Sequence, residues 1–195
     1  MSRLPAYSAV VLAGGRAVRL GGRDKPLLEV GGRTLLGTVL DAVADASRRV
    51  VVGPPRPVPE GVVVVREQPP GGGPVAALRA GLPQVTDDVV AVLAADLPFL
   101  DRALITRLRG DLAGDGVLVV DDTGRDQYLL GVWRTAALRA ALAGTEATSL
   151  RRLLAPLAVS RLRPEVAPGT PPPWLDCDTA DDLARARAVA GGTGG

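Results

Sequence analysis

The chain contains one lysine, Lys25, and every other basic side chain is an arginine. Lys25 closes a stretch with glycines at 14, 15, 21 and 22, and Arg19 stands among them. Glycines let a backbone approach a ligand closely and turn its N–H groups toward an anion. An ammonium is a compact point charge, whereas a guanidinium is a wide planar fork. A crowded phosphate between other charges favours the compact group, so the stretch reads as a phosphate cradle with Lys25 at its end. It is not a Walker A loop, which needs Gly-Lys-Ser/Thr opening a helix, and its glycines do not fit the dinucleotide fingerprint.

Two acids extend this chemistry. Asp96 follows seven unbroken apolar residues, 89–95, which places it at the carboxyl end of a buried strand. Magnesium takes one or two protein carboxylates together with phosphate oxygens, so Asp96 is a candidate metal ligand. Asp178, just before the last helical segment, is the second candidate, and Asp176 is its alternative. Asp181 and Asp182 suit the first turn of that helix, where acids complement the macrodipole. Asp121 and Asp122 read as turn residues. The chain has no histidine, which removes Ser-His-Asp, Cys-His and His-metal chemistry together. Its one cysteine, Cys177, has no partner for a disulfide and reads as an inert packing residue.

These groups need elements to position them. Strand-like apolar runs at 9–14, 48–53, 62–67, 88–96, 116–121 and 128–133 alternate with helix-period segments. The helices are expected at 34–46, 74–82, 102–112, 135–143, 149–155 and from Thr179 onward, where Thr179 and Asp182 have capping-box spacing. Residues 174–178, "WLDCD", read as one more strand after a proline-rich loop at 163–173. Such alternation predicts an α/β fold: one Rossmann-like, three-layer domain over 1–190, a mostly parallel sheet with helices on both faces, and a disordered tail at 191–195. Ligands then bind beyond the carboxyl ends of the strands, where the topology switches.

The motifs also resemble a known family. "LAGGRAVRLGGRDK" (12–25) is similar to the signature of the MobA-like nucleotidyltransferases and meets every fixed position of the pattern L-A-G-G-x-[SA]-x-R-[MFL]-G-x-x-D-K. "AADLPFL" (94–100), "EQPPGGGPVAAL" (67–78) and "DCDTADDL" (176–183) resemble further family segments, in the right order along the chain. The resemblance implies the nucleotide-diphospho-sugar transferase type of fold and magnesium-dependent transfer of GMP from GTP to molybdopterin. It implies a nucleotide site of Leu12, Ala13, Gly14, Gly15, Lys25, Glu67, Gln68, Gly73 and Asp96. Arg19, Lys25 and Asp96 would be catalytic, and Asp96 and Asp178 would hold Mg2+. Glu67 or Gln68 stands where family loops carry the acid that reads guanine, and Tyr128 stands where the family frequently has proline.

That reaction suits a chain without histidine. The second ionisation of a phosphate monoester lies near pH ~6, so the attacking group is already a dianion at neutral pH. What must be overcome is repulsion between two polyanions. One opposite-charge contact at about 4 Å contributes on the order of 4 kcal/mol at an effective dielectric of about 20.

Other readings stay open at this point. GTP, CTP or another triphosphate could be the donor. A cytidylyltransferase acting on molybdopterin or on a sugar or polyol phosphate would share the same residues, and so would a non-catalytic nucleotide-binding partner in cofactor assembly. Contact with molybdoenzyme-assembly proteins is a further expectation. The sequence pI is about 9.2, but the net charge is only +2 and the arginines are scattered, so no nucleic-acid surface is expected. No apolar run reaches membrane-spanning length, and the chain reads as cytoplasmic.

Overall fold

The computed structural model describes residues 4–14, 19–20 and 23–192, with side chains at 4–14 and 24–191. Eleven strands appear among them: β1 (Ser8–Leu12), β2 (Arg19–Leu20), β3 (Arg23–Asp24), β4 (Glu29–Val30), β5 (Arg33–Thr34), β6 (Arg48–Val52), β7 (Val62–Val65), β8 (Val89–Ala94), β9 (Gly116–Val120), β10 (Asp126–Arg134) and β11 (Val159–Leu162). The helices are α1 (Leu35–Ala42), α2 (Gly73–Gly81), α3 (Arg102–Gly110), α4 (Thr135–Ala143), α5 (Leu150–Leu154) and α6 (Ala180–Gly192). Seven strands form one sheet in the order β11-β9-β10-β8-β1-β6-β7. All pairings in it are parallel except those of β10, which runs antiparallel to both β8 and β9. β2 pairs with β3, and β4 with β5, as short ribbons outside it.

Both faces of the sheet are covered, as continuous apolar strands require. Along β1, Ala9 and Val11 face a core layer with Leu36, Val39 and Leu40 of α1 and Leu104, Ile105 and Leu108 of α3. Val10 and Leu12 point the other way, into a layer with Leu78 of α2, Leu138 and Leu142 of α4, and Leu150 and Leu153 of α5. Period-two alternation on the central strand thus splits the helices into two sets. Close packing positions α2: a Cβ on Gly81 would lie 2.8 Å from Val10 Cγ1 and 2.9 Å from Val52 Cγ2. Only glycine lets this helix lie so near β1 and β6, and its other end faces the carboxyl edge of the sheet.

Helix starts follow side-chain capping. Thr34 accepts from the Gly37 amide at 3.0 Å, and Asp101 accepts from the Leu104 amide at 2.8 Å. The expected box before α6 is present: the Asp182 amide donates to Thr179 Oγ1 at 3.1 Å, and the Thr179 amide donates to Asp182 Oδ2 at 2.8 Å.

Three expectations change. Residues 174–178 join no sheet. The prolines at 171–173 lack the N–H donors a strand start needs, and Leu175 N turns back onto Pro172 O at 3.1 Å. The outer edge beside β9 is taken instead by β11, four residues of mixed polarity that carry no clean alternation. The helix expected over 34–46 stops at Ala42, where Val43 leaves helical geometry. At the C-terminus, α6 runs through 191 and 192, and 193–195 lie outside the described residues.

Candidate active site

The carboxyl ends of β1, β6 and β8 are tied together where the chain leaves the sheet. Ala13 N donates to Val52 O at 2.8 Å, and Ala95 N donates to Leu12 O at 3.1 Å. A cleft of about 470 Å³ opens over these ends. Its floor includes Leu12, Ala13, Gly14, Ala94 and Asp96. One wall is the start of α2, with Gly73 and Pro74, and the opposite wall is the first half of β10. This is the switch point of the sheet, between the parallel half and the antiparallel β10.

Lys25 enters from a 3-10 turn, Lys25–Leu27, whose Pro26 sets the backbone at its start. Its side chain is only 6% exposed, and its Nζ lies 2.6 Å from Asp96 Oδ2 and 2.6 Å from Asp178 Oδ1. Burial pulls the lysine pKa down, but the charges and hydrogen bonds of Asp96 and Asp178 outweigh it and leave the pKa above its ordinary value. The ammonium is therefore a permanent cation at neutral pH. Asp176 lines the same cleft, and its pKa is raised by partial desolvation and by the neighbouring Asp178 and Asp96. Beneath the turn, the buried Arg56 reaches Asp24 Oδ1 at 3.5 Å, which braces the residue preceding Lys25.

The other end of the cleft carries an acid of a different kind. Glu67 is 4% exposed; its Oε1 accepts from the Gly71 amide at 3.0 Å. Its Oε2 has no hydrogen-bond partner among the described residues. A Cβ on Gly14 would lie 3.1 Å from Glu67 Oε1, so a glycine at 14 leaves room for this carboxylate beside the loop.

The structure brings together Leu12, Ala13, Gly14, Lys25, Glu67, Gly73, Asp96 and Asp178, all on the cleft. It does not bring Gln68 there. Gln68 is exposed and lines a separate groove with Val75, Arg79 and Thr145, because the chain has left β7 and bends at Gln68, away from the cleft that Glu67 faces. Gly15 and the side chain of Arg19 lie outside the described residues. Asp126 and Gln127 also line the cleft and carried no signal in the sequence. Gln127 is held by Asp121, which accepts from Thr123 N, Thr123 Oγ1, Arg125 N and Gln127 Nε2, so the acid read as a turn residue fixes the turn beside the cleft. Arg56 was invisible as one arginine among many. Cys177 is fully buried with Leu28, Val30, Leu35, Leu183 and Ala186, as a packing residue would be.

The carboxylates fit a hard cation. Asp96 and Asp178 already converge on one positive charge, and two carboxylates plus phosphate oxygens are a usual magnesium set. No group of three or more His, Cys, Asp or Glu that could hold a metal by itself occurs among the described residues. No helix among those residues is long and apolar enough to cross a membrane.

The pattern defining the MobA-like NTP transferase domain matches residues 9–163, a span that holds the glycine-rich loop, Lys25, Glu67 and Asp96. The chain belongs to this family. It is 34% identical over 204 residues to a molybdenum cofactor guanylyltransferase of Bradyrhizobium sp. (strain ORS 278), covering 97% of this chain and 95% of that one. A protein of the same description from Rhodopseudomonas palustris (strain HaA2) is 34% identical over 206 residues, covering 97% and 95%. Among solved structures, molybdopterin-guanine dinucleotide biosynthesis protein A of Archaeoglobus fulgidus superposes with a TM-score of 0.71 at 19% identity, over 95% of this chain and 99% of that one. The 2-C-methyl-D-erythritol 4-phosphate cytidylyltransferase of Thermus thermophilus gives 0.70 at 23% identity, over 95% and 98%. These two likenesses show the shared fold. This MobA-like NTP transferase is thus a nucleotidyltransferase whose cleft opens on the same edge of the sheet as its family signature.

Proposed function

We propose that this MobA-like transferase moves GMP from GTP to the phosphate of molybdopterin, with release of pyrophosphate and with Mg2+ as cofactor. The observation that carries the reading is the Lys25 ammonium, held in the cleft between Asp96 and Asp178. The names of the sequence relatives support the donor and the acceptor.

The guanine end rests on Glu67. A carboxylate accepts hydrogen bonds and donates none. Its free Oε2, in a buried position at the end of the cleft, suits the adjacent N1–H and N2–H donors of guanine. Cytosine offers only its amino group for such an acid, which favours GTP over CTP.

In the reaction, an oxygen of the acceptor phosphate attacks the α-phosphorus of GTP. The new P–O bond forms as the bond from the α-phosphorus to the β-bridging oxygen breaks, and pyrophosphate carries the electron pair away. The acceptor is a dianion above pH ~6 and needs no side chain to remove a proton. Lys25 keeps its proton and offers positive charge to the phosphates. Leu12 and Ala13 line the cleft floor, but Ala13 N is spent on Val52 O, so the loop amides from Gly14 onward would hold the triphosphate in line, and catalysis rests on position and preorganised charge. When bound by Asp96 and Asp178, magnesium supplies charge neutralisation at the phosphoryl oxygens. Arg19 adds a second cation from the glycine-rich loop.

Calorimetry with ATP, CTP, GTP and UTP in the presence of Mg2+, followed by pyrophosphate assay with molybdopterin, tests the reading. Binding and turnover with GTP, lost on chelation with EDTA, are expected. Turnover with CTP but not GTP would move the activity to a cytidylyltransferase. Nucleotide binding without pyrophosphate release from any pair would leave a non-catalytic binding partner.

A further inference from the structure

A second groove, about 860 Å³ in volume, lies directly beside the active-site cleft. The two share a wall, Asp126 and Tyr128 at the start of β10. The groove continues from that wall over β9, β11 and α5, on the same face of the sheet as α2 but toward its β11 edge, away from Glu67. Three guanidinium groups line it, those of Arg125, Arg151 and Arg161, against the single carboxylate of Asp126.

Charge in this groove is not balanced internally. Arg161 holds Asp126 as a fork, with Nε at 2.9 Å from Oδ1 and Nη2 at 2.8 Å from Oδ2. That pair uses up the only acid and fixes the wall. Arg125 and Arg151 are exposed and make no ion pair among the described residues. For a chain whose whole net charge is +2, two uncompensated cations in one concavity are a local concentration. Tyr128, half-buried between cleft and groove, adds an aromatic wall at the passage.

We infer that this groove binds the distal part of the acceptor, which must carry a second anionic group beyond the phosphate that reacts. The inference rests on the reading of the cleft as a nucleotidyltransferase site and names where the second substrate lies. Glu67 and Gly73 mark the nucleoside end on the β1 and α2 side of the cleft, and Lys25 marks the phosphates. The free direction for a molecule attacking the α-phosphorus is over β10, and the cavity continues there. A flat ring passing Tyr128 would place its anionic end between Arg125 and Arg151. An acidic protein segment would suit the charge too, but the groove is of small-molecule size and adjoins the cleft at Asp126 and Tyr128.

Steady-state kinetics on Arg125→Glu, Arg151→Glu and the double variant, with molybdopterin and GTP varied separately, test this. Both side chains are exposed, so thermal unfolding should stay close to that of the parent protein. The expected result is an acceptor KM raised about tenfold or more in each single variant, with the KM for GTP within about twofold. Arg151→Lys should restore most of the acceptor affinity. Raising the salt concentration should weaken acceptor binding in the parent protein and much less in the double variant. Parent turnover together with an unchanged acceptor KM in both variants overturns the groove assignment alone, and so does a parallel rise in the KM for GTP. Lost capture of an acidic peptide with acceptor kinetics unchanged would assign the groove to a protein partner and also overturn it. A parent protein that neither binds molybdopterin by calorimetry nor turns it over removes the reading of the cleft and this inference together.

Discussion

Lys25 and Asp178 lie 153 residues apart in the sequence and meet at 2.6 Å in the structure. The same ammonium touches Asp96 at 2.6 Å, so the glycine-rich loop, the end of β8 and the segment before α6 are joined at one charge. Under the proposed function, a triphosphate entering the cleft would compete for that charge. Lysine without its amine should lose turnover by on the order of a hundredfold to a thousandfold, the scale of removing one preorganised charge donor. We expect this of Lys25→Ala, with the far-ultraviolet circular dichroism unchanged. Lys25→Arg should recover little, because the 6% exposed position has no room for a wide planar fork. Near-parental activity of Lys25→Ala removes Lys25 from the mechanism, and near-parental activity of Lys25→Arg overturns the argument for a compact cation.

The two acids should separate in their effects. Asp96 is 20% exposed at a strand end, and Asp178 is 61% exposed on a loop. Asp96→Asn should abolish most turnover at every magnesium concentration. Asp178→Asn keeps an oxygen that can accept from Lys25 but removes a charge, so its defect should be an apparent magnesium affinity weakened about tenfold. Excess magnesium should then restore its rate. Equal, magnesium-insensitive losses in both variants would contradict the shared cation site.

Much of this arrangement was legible in the chain itself. The seven apolar residues before Asp96 announced a buried strand with an acid at its tip, and the single lysine stood out by its type. Thr179 and Asp182 revealed the start of α6 through their spacing. What stayed hidden depended on partners distant in sequence. β11 is four residues long and half-polar, and only its neighbour β9 makes it a strand. Residues 174–178 looked like a strand by composition but follow three prolines and find no edge to pair with. Glu67 and Gln68 were indistinguishable as base readers, since the bend that begins at Gln68 decides which of them faces the cleft. Asp126 and Gln127 reach the cleft through the turn anchored by Asp121, a relation no linear motif encodes.

Glu67 and Gln68 now give opposed expectations. Glu67→Gln replaces an acceptor-only group by one that also presents donors toward guanine, so the KM for GTP should rise about tenfold or more and discrimination against the other triphosphates should shrink. Gln68→Ala alters a side chain on a different groove and should leave the KM for every triphosphate within about twofold. Competition binding with all four triphosphates reads both. A larger effect at Gln68 than at Glu67 would place the base elsewhere.

The last expectation concerns alkaline pH and comes from Cys177. Burial, with the Asp96 charge next, pushes its thiol up to about 11. In the unfolded chain the thiol ionises near pH ~8.5, so above that the unfolded state sheds a proton the folded state retains. Stability is then unaffected at neutral pH and falls as pH climbs from the unfolded thiol's range toward 11. The raised lysine pKa has the same sign but a later onset: the stabilisation from Lys25 is complete below pH ~10.4 and is lost only above it. The two contributions separate between pH 8 and 10. Cys177→Ala should be less stable than the parent at pH 7, because it loses packed volume. It should nevertheless show a shallower decline over that interval in urea unfolding. The parent thiol should also resist iodoacetamide at pH 8 until urea unfolds the chain. Rapid alkylation of the native protein, or identical pH slopes with and without the thiol, would mean that Cys177 is not sealed in the core layer beneath α6.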